Sequence, residues 1–227
     1  MPQEAVSELP YKIPTSVGVV LPLGISTAAA GLYQKDYLAL PFPSEKPETL
    51  DRTVLIWGGS SSVGSCCIQL AVASGLDVIT TASPRNSEYC KKLGAKQVFD
   101  YHNDAVEDEI IKALKDKTVV GAYHATGGAS AFLSCASIMD QTKGKAIVVT
   151  VEGVPEKGVP SSVRTKMSKW SLNSYRIVPN ANYAVQYHLR TSSATKSAHT
   201  SGASSCRRHW RRARLYLHRT RLWSERS

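Results

Sequence analysis

A glycine-rich turn with three hydroxyl groups is the segment of this sequence whose spacing points most directly to chemistry. Residues 58–64 read Gly-Gly-Ser-Ser-Ser-Val-Gly. Glycines let a ligand approach the backbone closely, and serines add hydroxyl donors. If this turn opens a helix, the unpaired N–H groups of the first helical turn also attract an anion. The pattern therefore predicts a cradle for a diphosphate. Its predicted members are Gly58, Ser60, Ser61, Ser62, Val63 and Gly64.

The elements around this turn are those of a nucleotide-binding α/β domain. Residues 54–57 are a continuous apolar run, typical of a strand buried on both faces of a parallel sheet. After the turn, apolar residues recur with helical spacing from Val63 to Ala71. Strands and helices then alternate, which predicts right-handed crossovers in a doubly wound parallel sheet, a Rossmann fold, over about residues 50–152. The further predicted strands are 78–82, 97–99, 119–124 and 146–151, and the further predicted helices are 84–93, one from about 103, and 130–137.

The end of the second predicted strand discriminates between the two nicotinamide dinucleotides. An acidic residue there binds the ribose 2′-hydroxyl of NAD and repels a 2′-phosphate. Here residues 82–86 read Ala-Ser-Pro-Arg-Asn, and Asp77 lies at the opposite end of the strand. Hydroxyl, guanidinium and amide donors suit a phosphate, which favours NADP. The residues predicted to hold that phosphate are Ser83, Pro84, Arg85 and Asn86. Ser83 also fits a helix N-cap before Pro84, and Arg85 alone also fits a solvated surface charge.

Two later turns fall at the same edge of the predicted sheet. Tyr101 follows the third strand, at the edge expected to border the adenine, where stacking on the base and ordinary surface packing explain it equally well. Residues 125–128, Ala-Thr-Gly-Gly, follow the next strand, where a nicotinamide ring would lie. Small residues leave room for the ring, although a plain turn explains them nearly as well.

Charge divides the chain at a single boundary. Residues 1–163 contain 14 Lys+Arg and 17 Asp+Glu, a net charge of −3, whereas residues 164–227 contain 14 Lys+Arg and one acid, a net charge of +13. Three segments are therefore expected: residues 1–49, a substrate-side remnant with a connecting helix; residues 50–163, the Rossmann domain; and residues 164–227, an irregular or disordered basic tail.

Other features narrow the class of protein. The five cysteines show no metal-binding spacing, so no metal site is predicted, and thiols among apolar residues are expected in a reducing compartment. We find neither a stretch of about 18 apolar residues nor a secretory signal pattern. The expected location is therefore the cytoplasm.

The motifs together resemble the medium-chain dehydrogenase/reductase superfamily, in its zinc-free branch of fungal trans-acting enoyl reductases and quinone-reductase-like proteins. The resemblance covers about residues 15–165. The matching segments are Gly58–Gly64, Ala82–Asn86, Lys92–Ala95, Val98–Tyr101 and Leu23–Leu32. Members of this superfamily have a separate β-rich substrate domain, so the resemblance implies a chain truncated at both ends, with half of the active-site cleft missing.

The resemblance implies NADPH as the hydride donor to an activated double bond of a small enoyl, enone or quinone substrate, and a polyketide synthase as a partner. It places the 2′-phosphate at residues 83–86 and the adenine at Tyr101. The residues that it places along the substrate channel are Ile25, Ser26, Thr27, Ala28, Ala29, Ala30, Gly31 and Leu32. Because such reductases mainly position hydride and acceptor, no catalytic residue is predicted.

Two other functions remain open from the sequence. The chain fits a dinucleotide-binding remnant without catalysis. The tail, with Trp210, Tyr216 and Trp223 among arginines, also fits a nucleic-acid binder. The loss of acids and of periodicity where the resemblance ends near Met167 favours a tail translated from another reading frame or through an intron over the nucleic-acid reading.

Overall fold

A computed structural model describes residues 15–19, 22–44 and 46–168 of the chain. Two units divide the chain, residues 1–188 and 189–227, and every described residue belongs to the first. The basic tail beyond residue 168, with its predicted irregularity, lies outside the described residues. The strands are β1 Arg52–Trp57, β2 Asp77–Thr81, β3 Gln97–Phe99, β4 Thr118–His124, β5 Ile147–Thr150 and β6 Arg164–Met167. The helices are α1 Thr15–Gly18, α2 Pro22–Tyr33, α3 Ser62–Ala73, α4 Ser87–Lys92, α5 Val106–Leu114 and α6 Gly128–Gln141, with a 3-10 turn at Pro84–Asn86.

The six strands form one parallel sheet in the order β3-β2-β1-β4-β5-β6. The strand order reverses between β1 and β4, where Trp57 pairs with His124. In an open parallel sheet, ligands bind at the carboxyl ends of the strands beside this reversal. The doubly wound α/β fold predicted from the alternating pattern is confirmed.

Both faces of the sheet are covered by helices, which explains why its central strands are mostly apolar. Five of the six residues of β1 are buried. Val54 and Ile56 face one apolar cluster, whose members come mainly from α2, α3, β2 and β4. Leu55 and Trp57 face the other, formed with α5 and α6. Burial on both faces favours apolar side chains along the strand, and Thr53 is its one buried polar residue.

The helix α2 packs directly on the sheet as part of the first cluster. Glycine is required where it crosses β4 and β5, because a Cβ atom on Gly31 would lie 2.8 Å from Val149 Cγ1 and would overlap the Tyr123 ring. The segment expected to be a substrate-side remnant therefore contributes a helix to the core of the Rossmann domain.

The structure differs from the sequence-based boundaries in several places, and α6 is six residues longer than the helix predicted over residues 130–137. The sheet continues past the expected end of the domain at residue 163, because Arg164–Met167 pairs with β5. The helix expected over residues 84–93 is a 3-10 turn followed by α4. Finally, α5 begins at Val106, because the side chain of Asn103 accepts a hydrogen bond from the amide of Ala105 at 3.0 Å and forms a turn before the helix.

The cysteine thiols of the described residues lie in the core. Cys66, Cys67, Cys90 and Cys135 are buried and unpaired within the described range, as expected for small core residues. Burial raises the pKa of Cys66 to about 12. Across the described ranges, no helix combines the length and the apolarity that crossing a bilayer requires.

Candidate functional site

The glycine-rich turn connects β1 to α3 and is shaped by its own backbone and serines. Gly58 has a φ of +81°, and its carbonyl accepts a hydrogen bond from the amide of Ser61 at 3.0 Å. Ser61 is the N-cap of α3, and its Oγ accepts from the amide of Gly64 at 3.1 Å. A Cβ atom on Gly64 would overlap the carbonyl of Gly58. The turn therefore requires glycine at both ends.

The start of α3 offers backbone donors to a ligand. Within the described residues, the amides of Ser62 and Val63 have no hydrogen-bond acceptor, whereas those of Ser61, Gly64 and Ser65 are bonded inside the turn. No acidic residue lies in the first turn of α3. Free N–H groups and the positive end of the helix dipole together attract an anion. This donor set fits a diphosphate.

Buried threonines tie the glycine-rich turn to β2. The amides of Gly59 and Gly58 donate to the carbonyl and to Oγ1 of Thr81, at 2.9 and 3.0 Å. Thr80 Oγ1 donates to the carbonyl of Ile56 at 2.6 Å. Both threonines are fully buried. These bonds hold the cradle at a set distance from the end of β2.

The residues after β2 approach the cradle through Asn86. Its Nδ2 donates to Ser83 Oγ at 3.0 Å and reaches Ser60 Oγ at 3.4 Å. Ser83 occupies the N-cap position of the 3-10 turn but makes no side-chain capping bond. Its hydroxyl is therefore part of this polar cluster, together with Asn86 and Ser60. The structure thus brings two separately predicted groups of residues into contact.

The charged residues around β2 lie at its two ends. Pro84 and Arg85 are exposed beside the cluster. Asp77 lies at the far end of the strand. Its carboxylate forms ion pairs with Lys96 Nζ at 2.5 Å and with Lys117 Nζ at 3.9 Å. Residues 82–86 include no acid. The carboxyl end of β2 is therefore followed by hydrogen-bond donors and by no carboxylate.

Tyr101 lies in the turn after β3 with 46 % of its surface exposed. Its ring packs on that of His102, with centroids 4.1 Å apart and planes tilted by 32°. Asp100 Oδ1 accepts from the amide of His102 at 3.1 Å and contacts its Nδ1 at 2.8 Å. Both interactions lower the pKa of Asp100, and the hydrogen bond from the backbone amide has the larger effect. They also fix His102 as a support for Tyr101.

Most of the residues expected along a substrate channel contribute to the core. Six of the eight are buried: Ile25, Ala28, Ala29, Ala30, Gly31 and Leu32. Ser26 and Thr27 are half-buried, and both hydroxyls donate to carbonyls one turn earlier in α2. The carbonyl of Thr27 accepts from Tyr123 Oη at 2.8 Å and from Ser168 Oγ at 3.0 Å. Of these eight residues, Ser26 and Thr27 alone have surface open to a small molecule.

Sequence reasoning missed a polar network at the carboxyl ends of β4 and β5. Its members are His124, Thr150 and Glu152, and Glu152 Oε2 accepts from the amide of Gly128 at 2.8 Å. Burial lowers the pKa of His124, and the charge of Glu152 opposes this effect. No local motif marks these residues, because the partners are about 25 positions apart in the sequence. Only the pairing of β4 with β5 places them together.

Comparison with known protein families and sequences gives consistent matches. A family model described as zinc-binding dehydrogenase matches residues 62–185, more than half of the chain. The dehydrogenase pigH of Monascus ruber is 47% identical over 150 residues, which cover 63% of this chain and 40% of pigH. The trans-enoyl reductase himH of Aspergillus japonicus is 41% identical over 159 residues, 70% of this chain and 45% of himH. The chain thus spans under half the length of these relatives.

Solved structures with a similar fold are more distant in sequence. The CurK enoyl reductase has a TM-score of 0.60 and 20% identity, with 83% of this chain and 54% of that chain covered. The quinone oxidoreductase of Thermus thermophilus, known also in complex with NADPH, has a TM-score of 0.55 and 18% identity, with 80% and 55% covered. At such identities the similarity supports the fold.

Proposed function

Because the chain belongs to the medium-chain dehydrogenase/reductase superfamily, through its match to the zinc-binding dehydrogenase family, we propose that it binds NADPH for hydride transfer. One observation carries the proposal: Asn86 joins Ser83 to Ser60, so that the end of β2 and the glycine-rich turn form one polar surface. A dinucleotide needs both parts, one for its ribose and one for its diphosphate.

The diphosphate half of the proposal depends on the glycine-rich turn. The free amides of Ser62 and Val63 at the start of α3 would donate to the diphosphate oxygens. Gly58 and Gly64 allow the close packing that shapes this turn, since a Cβ atom on either would overlap Thr126 or the carbonyl of Gly58, and Ser60 adds a hydroxyl.

The preference for NADPH over NADH depends on the residues after β2. Ser83, Arg85 and Asn86 present a hydroxyl, a guanidinium and an amide, which are donors for a 2′-phosphate. With Asp77 at the other end of the strand, no carboxylate of β2 repels that phosphate. The exposed face of Tyr101 would stack on the adenine, with His102 behind it.

The proposed reaction is reduction of an activated C=C bond in an enoyl, enone or quinone substrate. NADPH supplies the hydride when it is bound, and the protein positions the dinucleotide and excludes water. Support for this substrate class comes from the trans-enoyl reductase himH and from the folds of an enoyl reductase and a quinone oxidoreductase. Ser26 and Thr27 are the residues of α2 that we propose to border the substrate.

The residues present do not fit the metal in the family's name. Within the part of the chain that the structure describes, no three His, Cys, Asp or Glu side chains are grouped as metal ligands. The cysteines there are buried, and burial raises the pKa of Cys66 and Cys67, which disfavours the thiolate that zinc needs. No step of the proposed reaction therefore passes through zinc.

Titration of the purified chain with NADPH, followed by the shift in nicotinamide fluorescence, tests the proposal. We expect saturable binding of NADPH and weaker binding of NADH. A folded chain that binds neither would contradict the proposed function.

A dinucleotide-binding protein without catalysis is the second candidate, because the free amides of Ser62 and Val63 serve cofactor binding whether or not hydride transfer follows. Oxidation of NADPH with a crotonyl thioester or a quinone separates the two. Binding without any turnover would support the second candidate.

A further inference from the structure

We propose that Glu152 is a positioning residue for the nicotinamide half of the dinucleotide, because its carboxylate holds the turn after β4 beside the glycine-rich turn. The inference rests on the proposed function. It concerns residues 125–128, which the sequence places where a nicotinamide ring would lie, and one acid that no motif marked.

The first part of the evidence is a carboxylate bonded to a helix start. Glu152 Oε2 accepts from the amide of Gly128 at 2.8 Å, across 24 positions in the sequence. Gly128 is the first residue of α6, a helix of 14 residues whose N-cap is Gly127 and has no side chain to cap it. A carboxylate at this end satisfies a free N–H and complements the helix dipole. Glu152 thus replaces the missing local cap from the segment that follows β5.

The second part is that Glu152 is itself held in place. Its amide donates to Thr150 Oγ1 at 3.0 Å, and Thr150 Oγ1 also contacts His124 Nδ1 at 2.9 Å. The His124 ring is buried and meets Phe132 of α6 edge to face, with centroids 5.7 Å apart. The chain of contacts runs from β4 through β5 to α6 and back to β4. A closed set of this kind restricts both turns at once.

The third part connects this network to the cradle. A Cβ atom on Gly58 would lie 2.6 Å from Thr126 Cγ2, so the turn after β4 lies directly on the glycine-rich turn. The amide of Ala125 donates to the carbonyl of Trp57 at 3.0 Å, which joins the same two turns. Two residues further on, Gly127 and Gly128 have φ values of +122° and +71°. Such glycines do not keep a turn in one conformation by themselves. The hydrogen bond between the Gly128 amide and the Glu152 carboxylate supplies this restraint.

The adenylate half of the site depends on other residues. There the contacts are those of Asn86 with Ser83 and Ser60, and of His102 with Asp100 and Tyr101. Loss of the Glu152 carboxylate should therefore weaken a ligand that reaches the turn after β4 and leave a shorter ligand unaffected. Adenosine 2′,5′-bisphosphate is such a shorter ligand, since it lacks the nicotinamide and its ribose.

The experiment compares the full chain with Glu152→Ala and Glu152→Gln, and uses Glu156→Ala, an exposed acid of the same connection, as the matched control. We expect Glu152→Ala to raise the Kd for NADPH about tenfold, as for loss of a charge-assisted hydrogen bond, and to leave that for adenosine 2′,5′-bisphosphate within about twofold. Glu152→Gln keeps an acceptor oxygen and should raise the NADPH Kd about threefold. Amide hydrogen exchange at Gly128 should become faster in Glu152→Ala only.

Each outcome has one meaning. Equal weakening of both ligands by Glu152→Ala would overturn the proposal, because a general loss of structure has that effect. Unchanged binding of NADPH, or unchanged exchange at Gly128, would overturn it as well. If the unmodified chain binds neither ligand, the proposed function itself fails. This measurement needs no variant, so it is distinct from a failure of the proposal for Glu152.

Discussion

The two halves of the carboxyl edge of the sheet are built in different ways. Beside β1, β2 and β3, the turns combine bonds between sequence neighbours, such as Ser61 with Gly64 and Asn86 with Ser83, with longer-range bonds to Thr81. Beside β4 and β5, they are shaped by partners about 25 residues apart, such as Glu152 with Gly128. The first half can therefore be recognised as a motif, whereas the second becomes visible only after the strands are paired. The predictions below test whether this division is also functional.

Replacing Gly64 with valine should have the largest effect, because the new side chain meets the carbonyl of Gly58 and the Oγ of Ser61. We expect the free energy of unfolding to fall by about 3 kcal/mol, as for an overpacked interior site, and NADPH binding to be lost. Chemical denaturation and fluorescence titration measure the two effects. Gly153→Ala is the control, since nothing lies within 4 Å of its new Cβ. A Gly64→Val protein that binds normally would contradict the cradle.

A negative charge at the end of β2 should break the preference for NADPH. Ser83→Asp places a carboxylate where the 2′-phosphate is proposed to lie, and repulsion should raise the Kd for NADPH about 100-fold. The Kd for NADH should change little, because it lacks that phosphate. Calorimetry with both cofactors gives the ratio, and Ser83→Asn supplies the uncharged control. If both cofactors weaken equally, the phosphate lies elsewhere.

The β4–β5 half should show a pH dependence of stability that comes from His124. Burial lowers its pKa in the folded chain, so that below about pH 6.5 the unfolded chain binds a proton that the folded chain does not. The free energy of unfolding should therefore fall as the pH decreases below that point, by at most about 1.4 kcal/mol per pH unit from this group. The contribution is complete above the unfolded pKa and is lost as the pH falls.

His124→Leu tests this sign, because leucine does not titrate. Urea denaturation between pH 5 and pH 8 should give a shallower decrease for the variant than for the original chain. Equal slopes would mean that His124 becomes protonated in the folded state as easily as in the unfolded one.

Loss of the aromatic ring at residue 101 should have the smallest effect. Tyr101→Leu removes stacking on the adenine and should raise the Kd about fivefold, which corresponds to about 1 kcal/mol. NADPH and adenosine 2′,5′-bisphosphate should weaken by the same factor, in contrast to Glu152→Ala. Calorimetry with both ligands measures the two Kd values. Weaker binding of NADPH alone would place Tyr101 at the nicotinamide end of the site and contradict the prediction.

The fold was predictable because its signals are local. The apolar run before the glycine-rich turn and the helical spacing after it are properties of short segments, and they identified β1 and α3 with bounds within one or two residues. The strand at Arg164–Met167 was not recognised, since its exposed, basic residues carry no apolar pattern and it is a strand only because β5 pairs with it.

For the candidate site, spacing alone selected residues 58–64 and 83–86, and the structure places Ser60, Ser83 and Asn86 in contact. The prediction for residues 25–32 lacked one piece of information, the direction that each side chain takes. In α2, six of these eight residues are buried, because the helix packs against both α3 and the sheet, and helical spacing without known neighbours does not reveal such packing.

By itself, the amino-acid sequence determined the doubly wound fold, the glycine-rich turn and the absence of an acid after β2, because each depends on residues close together along the chain. Only the tertiary structure decided that Asn86 reaches Ser60, that α2 packs into the core, and that Glu152 caps α6. These contacts join segments that are about 25 or more residues apart. Their geometry follows from the order and register of the parallel strands, which no single segment encodes.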